Sequence, residues 1–147
     1  MRPPPLTTGL GAALGLSLCL AGQATLARVA AADKRPSLSI KANPVVGITP
    51  ARVSLTAELK GGADDDQEFY CLSEEWNWGD ETESESKQDC APYEAGKSQI
   101  KRRFTTSRVF KIPGSYQVTL RLKRKDKVVT SSSVAIQIRQ GLDDPDR

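Results

Sequence analysis

The sequence predicts an all-β chain, a two-sheet antiparallel sandwich of about seven strands. Three observations predict it. Apolar residues recur every second position rather than every third or fourth, turn-forming dipeptides separate the alternating runs, and no stretch of about 12 residues carries a helical stripe. A chain of 147 residues, 38% hydrophobic and 27% charged, fits one such domain.

The fold is expected to begin after a leader. Arg2 and the α-amino group precede an apolar run from Leu10 to Ala21, and Ala24 and Ala27 follow. This is the layout of a secretory signal peptide over 1–27, with cleavage after Ala27 or Ala24, and Ala30 to Ala32 offering a later site. A lipid-bearing Cys19 is the weaker alternative, because Leu18 before it is bulky and the apolar run continues past it. The run is too short to span a bilayer and no second one follows, so the mature chain is expected to carry no transmembrane segment and to be secreted or periplasmic. Residues 28–35 read as a flexible linker, 36–139 as the folded domain and 140–147 as a polar tail.

Within the domain the strands take their order from the alternation. Leu38, Ile40 and Ala42 form the first, ended by Asn43-Pro44; Val53, Leu55, Ala57 and Leu59 form the next, ended by Gly61-Gly62. Trp76 and Trp78 share one face of a strand that stops at Gly79-Asp80. Tyr116, Val118, Leu120 and Leu122 follow Pro113-Gly114, and after Lys125-Asp126 come Val134, Ile136 and Ile138. Each strand is half-buried, so the apolar set is the candidate core.

Removing the leader takes Cys19 with it and leaves Cys71 and Cys90. In an oxidising compartment two thiols of a small domain read as one disulfide. A zinc site is the rival reading, and two Cys without any His make an incomplete shell for it.

Histidine is absent, which excludes a Ser-His-Asp or Cys-His pair, an HExxH site and an imidazole proton shuttle from this chain acting alone. A compact sandwich offers little concavity for a pair of catalytic carboxylates, so the chain is expected not to be an enzyme. The net charge of +3 is too small to predict nucleic-acid binding. It conceals two blocks: Glu58 to Glu94 holds 13 acids and 2 bases, whereas Ala95 to Arg139 holds 12 bases and one acid. Cross-strand and loop-to-strand pairing of the blocks is the plainest reading. Two sharper readings accompany it. Asp64, Asp65, Asp66 and Glu68, with Asp80, offer clustered carboxylate oxygens of the kind Ca²⁺ takes. Arg121, Lys123 and Lys125 alternate with Leu120 and Leu122 and line an outward strand face suited to a polyanion.

Trp76-Asn77-Trp78-Gly79-Asp80, followed by Phe110-Lys111-Ile112-Pro113-Gly114-Ser115-Tyr116-Gln117-Val118-Thr119-Leu120, resembles the PKD (polycystic kidney disease) domain, whose signature is a W-D-F-G-D-G-T run and a later Pro-Gly before Y-x-V-x-L. Asn43-Pro44 and Gly47 to Pro50 before a strand add to the likeness, which covers Pro36 to about Arg139. Departures are Asn77, Trp78, Glu81, Arg108 where a His is common, Phe110, and the charged insert from Glu83 to Glu94. The resemblance implies an immunoglobulin-like sandwich acting as a non-catalytic extracytoplasmic binding or adhesion module, with a protein or polysaccharide partner. A domain stabilised or regulated by Ca²⁺ through its acidic loops is the alternative, and no other cofactor is expected.

Overall fold

The computed structural model describes residues 35–141. The expected signal peptide, most of the linker and the end of the polar tail lie outside these residues. Eight strands form in the order β1 (Ser37–Asn43), β2 (Val46–Ile48), β3 (Ala51–Lys60), β4 (Ser73–Asn77), β5 (Glu83–Ser86), β6 (Arg103–Phe110), β7 (Gly114–Arg124) and β8 (Lys127–Arg139). They make two sheets, a three-stranded one ordered β1-β3-β6 and a five-stranded one ordered β2-β8-β7-β4-β5. The domain is the all-β sandwich that the alternation predicts.

The alternating residues point where the period of two requires. Val53, Leu55 and Ala57 on β3, and Val118, Leu120 and Leu122 on β7, are wholly buried between the sheets. Trp76 and Trp78 stack with ring centroids 6.0 Å apart, and Trp76 lies directly across from Leu120. Ala51, Leu59, Phe69, Leu72, Ile100, Phe104, Phe110, Ile136 and Ile138 complete the core among the described residues. Burial of large aromatic rings gives this core much of its stabilising area.

Three features depart from the strand pattern read in the sequence. β6 has Phe104, Thr106, Arg108 and Phe110 on its inner face, and two polar residues among four hide the alternation. β5 has the sequence Glu-Ser-Glu-Ser and no apolar residue; it forms by pairing with β4 at the sheet edge. β2 pairs with β8 in parallel, so the sandwich is antiparallel at every pairing except this one. β2 lies between the cis bonds Asn43-Pro44 and Thr49-Pro50, where the chain crosses from the three-stranded sheet to the five-stranded one and back.

Cys71 and Cys90 are joined, with Cα atoms 6.1 Å apart. The bond ties the approach to β4 to the insert that follows β5. A disulfide fits an oxidising compartment.

Candidate functional site

The charged residues fall into four groups. The first is the corner at the end of the Trp strand. Gly79 turns the chain at a positive φ of 76°, and a Cβ there would stand 2.8 Å from the backbone N and O of Gln117. Asp80 follows, accepting hydrogen bonds from the amide and hydroxyl of Thr82 and from the Arg108 guanidinium. Partial burial pushes the Asp80 carboxyl up; the Thr82 bonds and the Arg108 charge outweigh that and hold it below its ordinary range. Arg108 also lies over the Trp78 ring at 4.9 Å, so it links β6 of one sheet to the Trp turn of the other. Beside this corner is an open hollow of about 320 Å³, lined by Asp80, Arg108, Val109, Phe110, Lys111, Ile112 and Tyr116. Tyr116 is half-buried, its ring 4.7 Å from that of Phe110, and its hydroxyl donates a 2.7 Å hydrogen bond to the Ile112 carbonyl four residues upstream. Such a corner is a hallmark of immunoglobulin-like sandwiches.

The second group is on the outer face of the five-stranded sheet. Glu75 on β4 lies across from Arg121 on β7 and receives hydrogen bonds from both Arg121 and Lys123. Lys123 above all, and Arg121 after it, hold the Glu75 carboxyl below its ordinary value, and the same bonds raise both bases. This corrects the expectation of an open cationic row. Arg121 and Lys123 are engaged by an acid that the register sets opposite them, and Lys125 is not on the strand at all. It occupies the β7–β8 turn at φ 57°, beside a hollow of about 190 Å³ also lined by Cys71, Ser73, Lys87, Gln88 and Asp126.

The acidic loop before β4 is the third group. Asp64 pairs with Arg102 at 2.6 Å, and the same guanidinium donates to the carbonyls of Leu59, Gly61 and Gly62. Asp66 Oδ1 accepts from the Glu68 amide at 2.8 Å, and Glu68 pairs with Arg35. Through its carbonyl, Asp65 accepts from the Tyr93 hydroxyl at 2.7 Å. These residues are adjacent in sequence, and their described carboxylate contacts run to separate bases and amides. Glu74, which sequence reading passed over, is buried on the inner face of β4 and pairs with Lys101 at 2.7 Å. Its place between Leu72 and Trp76 in an alternating run was the available signal.

The fourth group is the outer face of the three-stranded sheet, also missed in the sequence. Register sets Lys41 of β1 in a row with Thr56 and Thr105, and Arg103 of β6 opposite Glu58. Arg52 lies farther along β3, opposite Val109. Lys41, Arg52 and Arg103 are exposed and make no ion pair among the described residues. The alternation marked Arg52, Ser54, Thr56, Glu58 and Lys60 as outward. Which strands flank β3, and so which bases join that row, depends on the topology.

No family model and no curated protein matches the sequence. Among solved structures the chain is similar to the PKD domain of an M14-like peptidase from a Thermoplasmatales archaeon, with 11% identity, a TM-score of 0.47, and coverage of 73% of this chain and 98% of that one. It is also similar to the CARDB domain of a Pyrococcus furiosus protein solved in complex with di-metal ions, with 10% identity, a TM-score of 0.43, and coverage of 74% and 97%. At these identities the likeness says nothing of function.

Proposed function

We propose that the chain is a non-catalytic binding or adhesion module of an extracytoplasmic compartment, meeting a protein or carbohydrate partner through a sheet face. One observation carries this reading. Glu74, Glu75, Asp64, Glu68 and Asp80 are each engaged by a Lys or Arg of the frame, while on the outer face of the three-stranded sheet Lys41, Arg52 and Arg103 make no ion pair among the described residues. Glu75 and Asp80, held below their ordinary range, are poor proton donors, and all five engaged carboxylates serve as struts. Exposed charge on a rigid sheet steers encounter and sets specificity.

The test is binding of the labelled full chain to an array of polysaccharides and extracellular proteins, run beside chromatography of the same ligands after incubation. Saturable binding with the ligand recovered intact supports the reading. Turnover of a glycan, ester or peptide that disappears on substitution of a single acid overturns it.

A further inference from the structure

We propose that the outer face of the three-stranded sheet is a binding site for an anionic polysaccharide, a glycan chain bearing carboxylates. The proposal rests on the binding-module reading and names its ligand class. Three bases define the site, Lys41, Arg52 and Arg103, one on each strand. From strand spacing and rise, Lys41 stands about 12 Å from Arg103 and about 14 Å from Arg52 along the face. The charges are therefore spread along a plane, as they are along an extended polyanion. Glu58 and Lys60 also lie on this face and approach each other at 4.0 Å, cancelling in net charge and leaving the three bases as the excess.

Between the bases the face is hydroxylated. Ser54, Thr56, Thr105 and Ser107 point outward and make no side-chain hydrogen bond among the described residues. Each hydroxyl both donates and accepts, which is what sugar hydroxyls require of a partner. β3 is central, paired with β1 over Ser54–Lys60 and with β6 over Ala51–Glu58.

The same composition argues against other occupants. Duplex DNA carries a charge about every 1.7 Å and calls for a denser basic surface than three spaced residues supply. Single-stranded nucleic acid calls for aromatic platforms, and this face carries none. A protein interface is centred on apolar and aromatic anchors. Here Val109, at 37% exposure at one end, is the large apolar side chain of the face among the described residues.

The experiment is calorimetric titration of the full chain with polygalacturonate, neutral dextran and duplex DNA of mixed sequence. It compares wild type with a triple variant Lys41→Gln, Arg52→Gln, Arg103→Gln. A control variant Arg124→Gln, Lys125→Gln, Lys127→Gln removes the same charge from the β7–β8 hairpin end. Polygalacturonate is expected to bind, more weakly as salt is raised, with at least a tenfold loss in the face variant and less than a threefold loss in the control. A second variant, Ser54→Glu with Thr105→Glu, keeps all three bases and is expected to lose binding comparably; it decides the matter if the first does not fold. Equal binding by wild type and both face variants overturns the site and leaves the binding-module reading standing. Tighter binding of duplex DNA than of polygalacturonate overturns the ligand class. Shortening of the polygalacturonate during titration overturns both this inference and the reading beneath it.

Discussion

Glu75 on β4 lies directly across from Arg121 on β7, its Oε1 accepting a 2.9 Å hydrogen bond from the guanidinium while Lys123 closes on Oε2. One residue from the acid-rich half thus holds two from the base-rich half, joining the Trp strand to its neighbour on the face away from the core.

This relationship sets an acid limb of stability. Hydrogen bonds from Lys123 and then Arg121 hold the Glu75 carboxyl below its ordinary value of 4.5. Since the folded value is the lower one, the stabilisation is whole above pH 4.5 and is lost as pH falls through the folded value. Glu75→Gln leaves Lys123 without its acid and Arg121 with only its 3.4 Å contact to Glu83, and is expected to lower the unfolding midpoint at neutral pH. Its midpoint is also expected to fall less than that of wild type between about pH 5 and pH 3. Thermal melts across that range check it; parallel curves would mean that Glu75 contributes nothing to the acid limb.

Gly79 makes a second prediction. Its φ of 76° penalises any L side chain, and its close approach to Gln117 adds a backbone clash. Gly79→Ala is expected to cost about 2–4 kcal/mol, the strain of a left-handed residue plus displacement of β7. Gly96 has a similar φ of 74° with nothing within 4 Å of the added Cβ, so Gly96→Ala is expected to cost only about 1 kcal/mol. Urea unfolding of the pair separates backbone conformation from crowding. Equal costs would remove the clash from the account.

Much of this was legible before the structure. The inner faces of β3 and β7 and the tail of β8 were readable because apolar side chains there alternate strictly with polar ones. Trp76 and Trp78, on one face of their strand, were readable for the same reason. Where the inner face is itself polar, as at Thr106 and Arg108 of β6, the period disappears, and where neither face is apolar, as in β5, only pairing with β4 makes a strand. The charge groups were legible in sign and not in position. Local spacing put Arg121 and Lys123 on one outward face; it had no access to Glu75, 46 residues from Arg121, which engages both. The hydroxylated basic face arises from three strands distant in sequence, and no window of sequence contains it.

The disulfide carries a third prediction. Cys71 and Cys90 are separated by 19 positions, and closing such a loop restricts the unfolded chain by about 3 kcal/mol in the chain-entropy model. Cys90→Ala is expected to lower stability by about that amount in oxidising buffer. In reductant, wild type is expected to fall to the level of the variant. A difference that survives complete reduction would assign the effect to packing around Cys90 rather than to the crosslink.

Calcium gives the last test, because the acidic loops invite it and the contacts oppose it. Asp64 is held by Arg102, whose guanidinium also gathers three loop carbonyls, Glu68 is held by Arg35, and Asp80 by Thr82 and Arg108. A cation recruiting these oxygens must first displace guanidinium groups, and in doing so would leave Arg102 and Arg108 without their acids. A ligand of the native state raises stability by mass action, about 2.7 kcal/mol at a hundredfold excess over its dissociation constant. Millimolar Ca²⁺ is therefore expected to leave the unfolding midpoint where NaCl of equal ionic strength leaves it. Arg102→Ala, which frees the loop carbonyls as well as Asp64, is expected to destabilise more than Asp64→Ala, since the exposed Asp64 side chain contributes only the ion pair. A saturable rise of the midpoint with Ca²⁺ that vanishes in Asp64→Asn or Asp80→Asn would reverse the assignment, making the loop a cation site for which the guanidinium groups are placeholders.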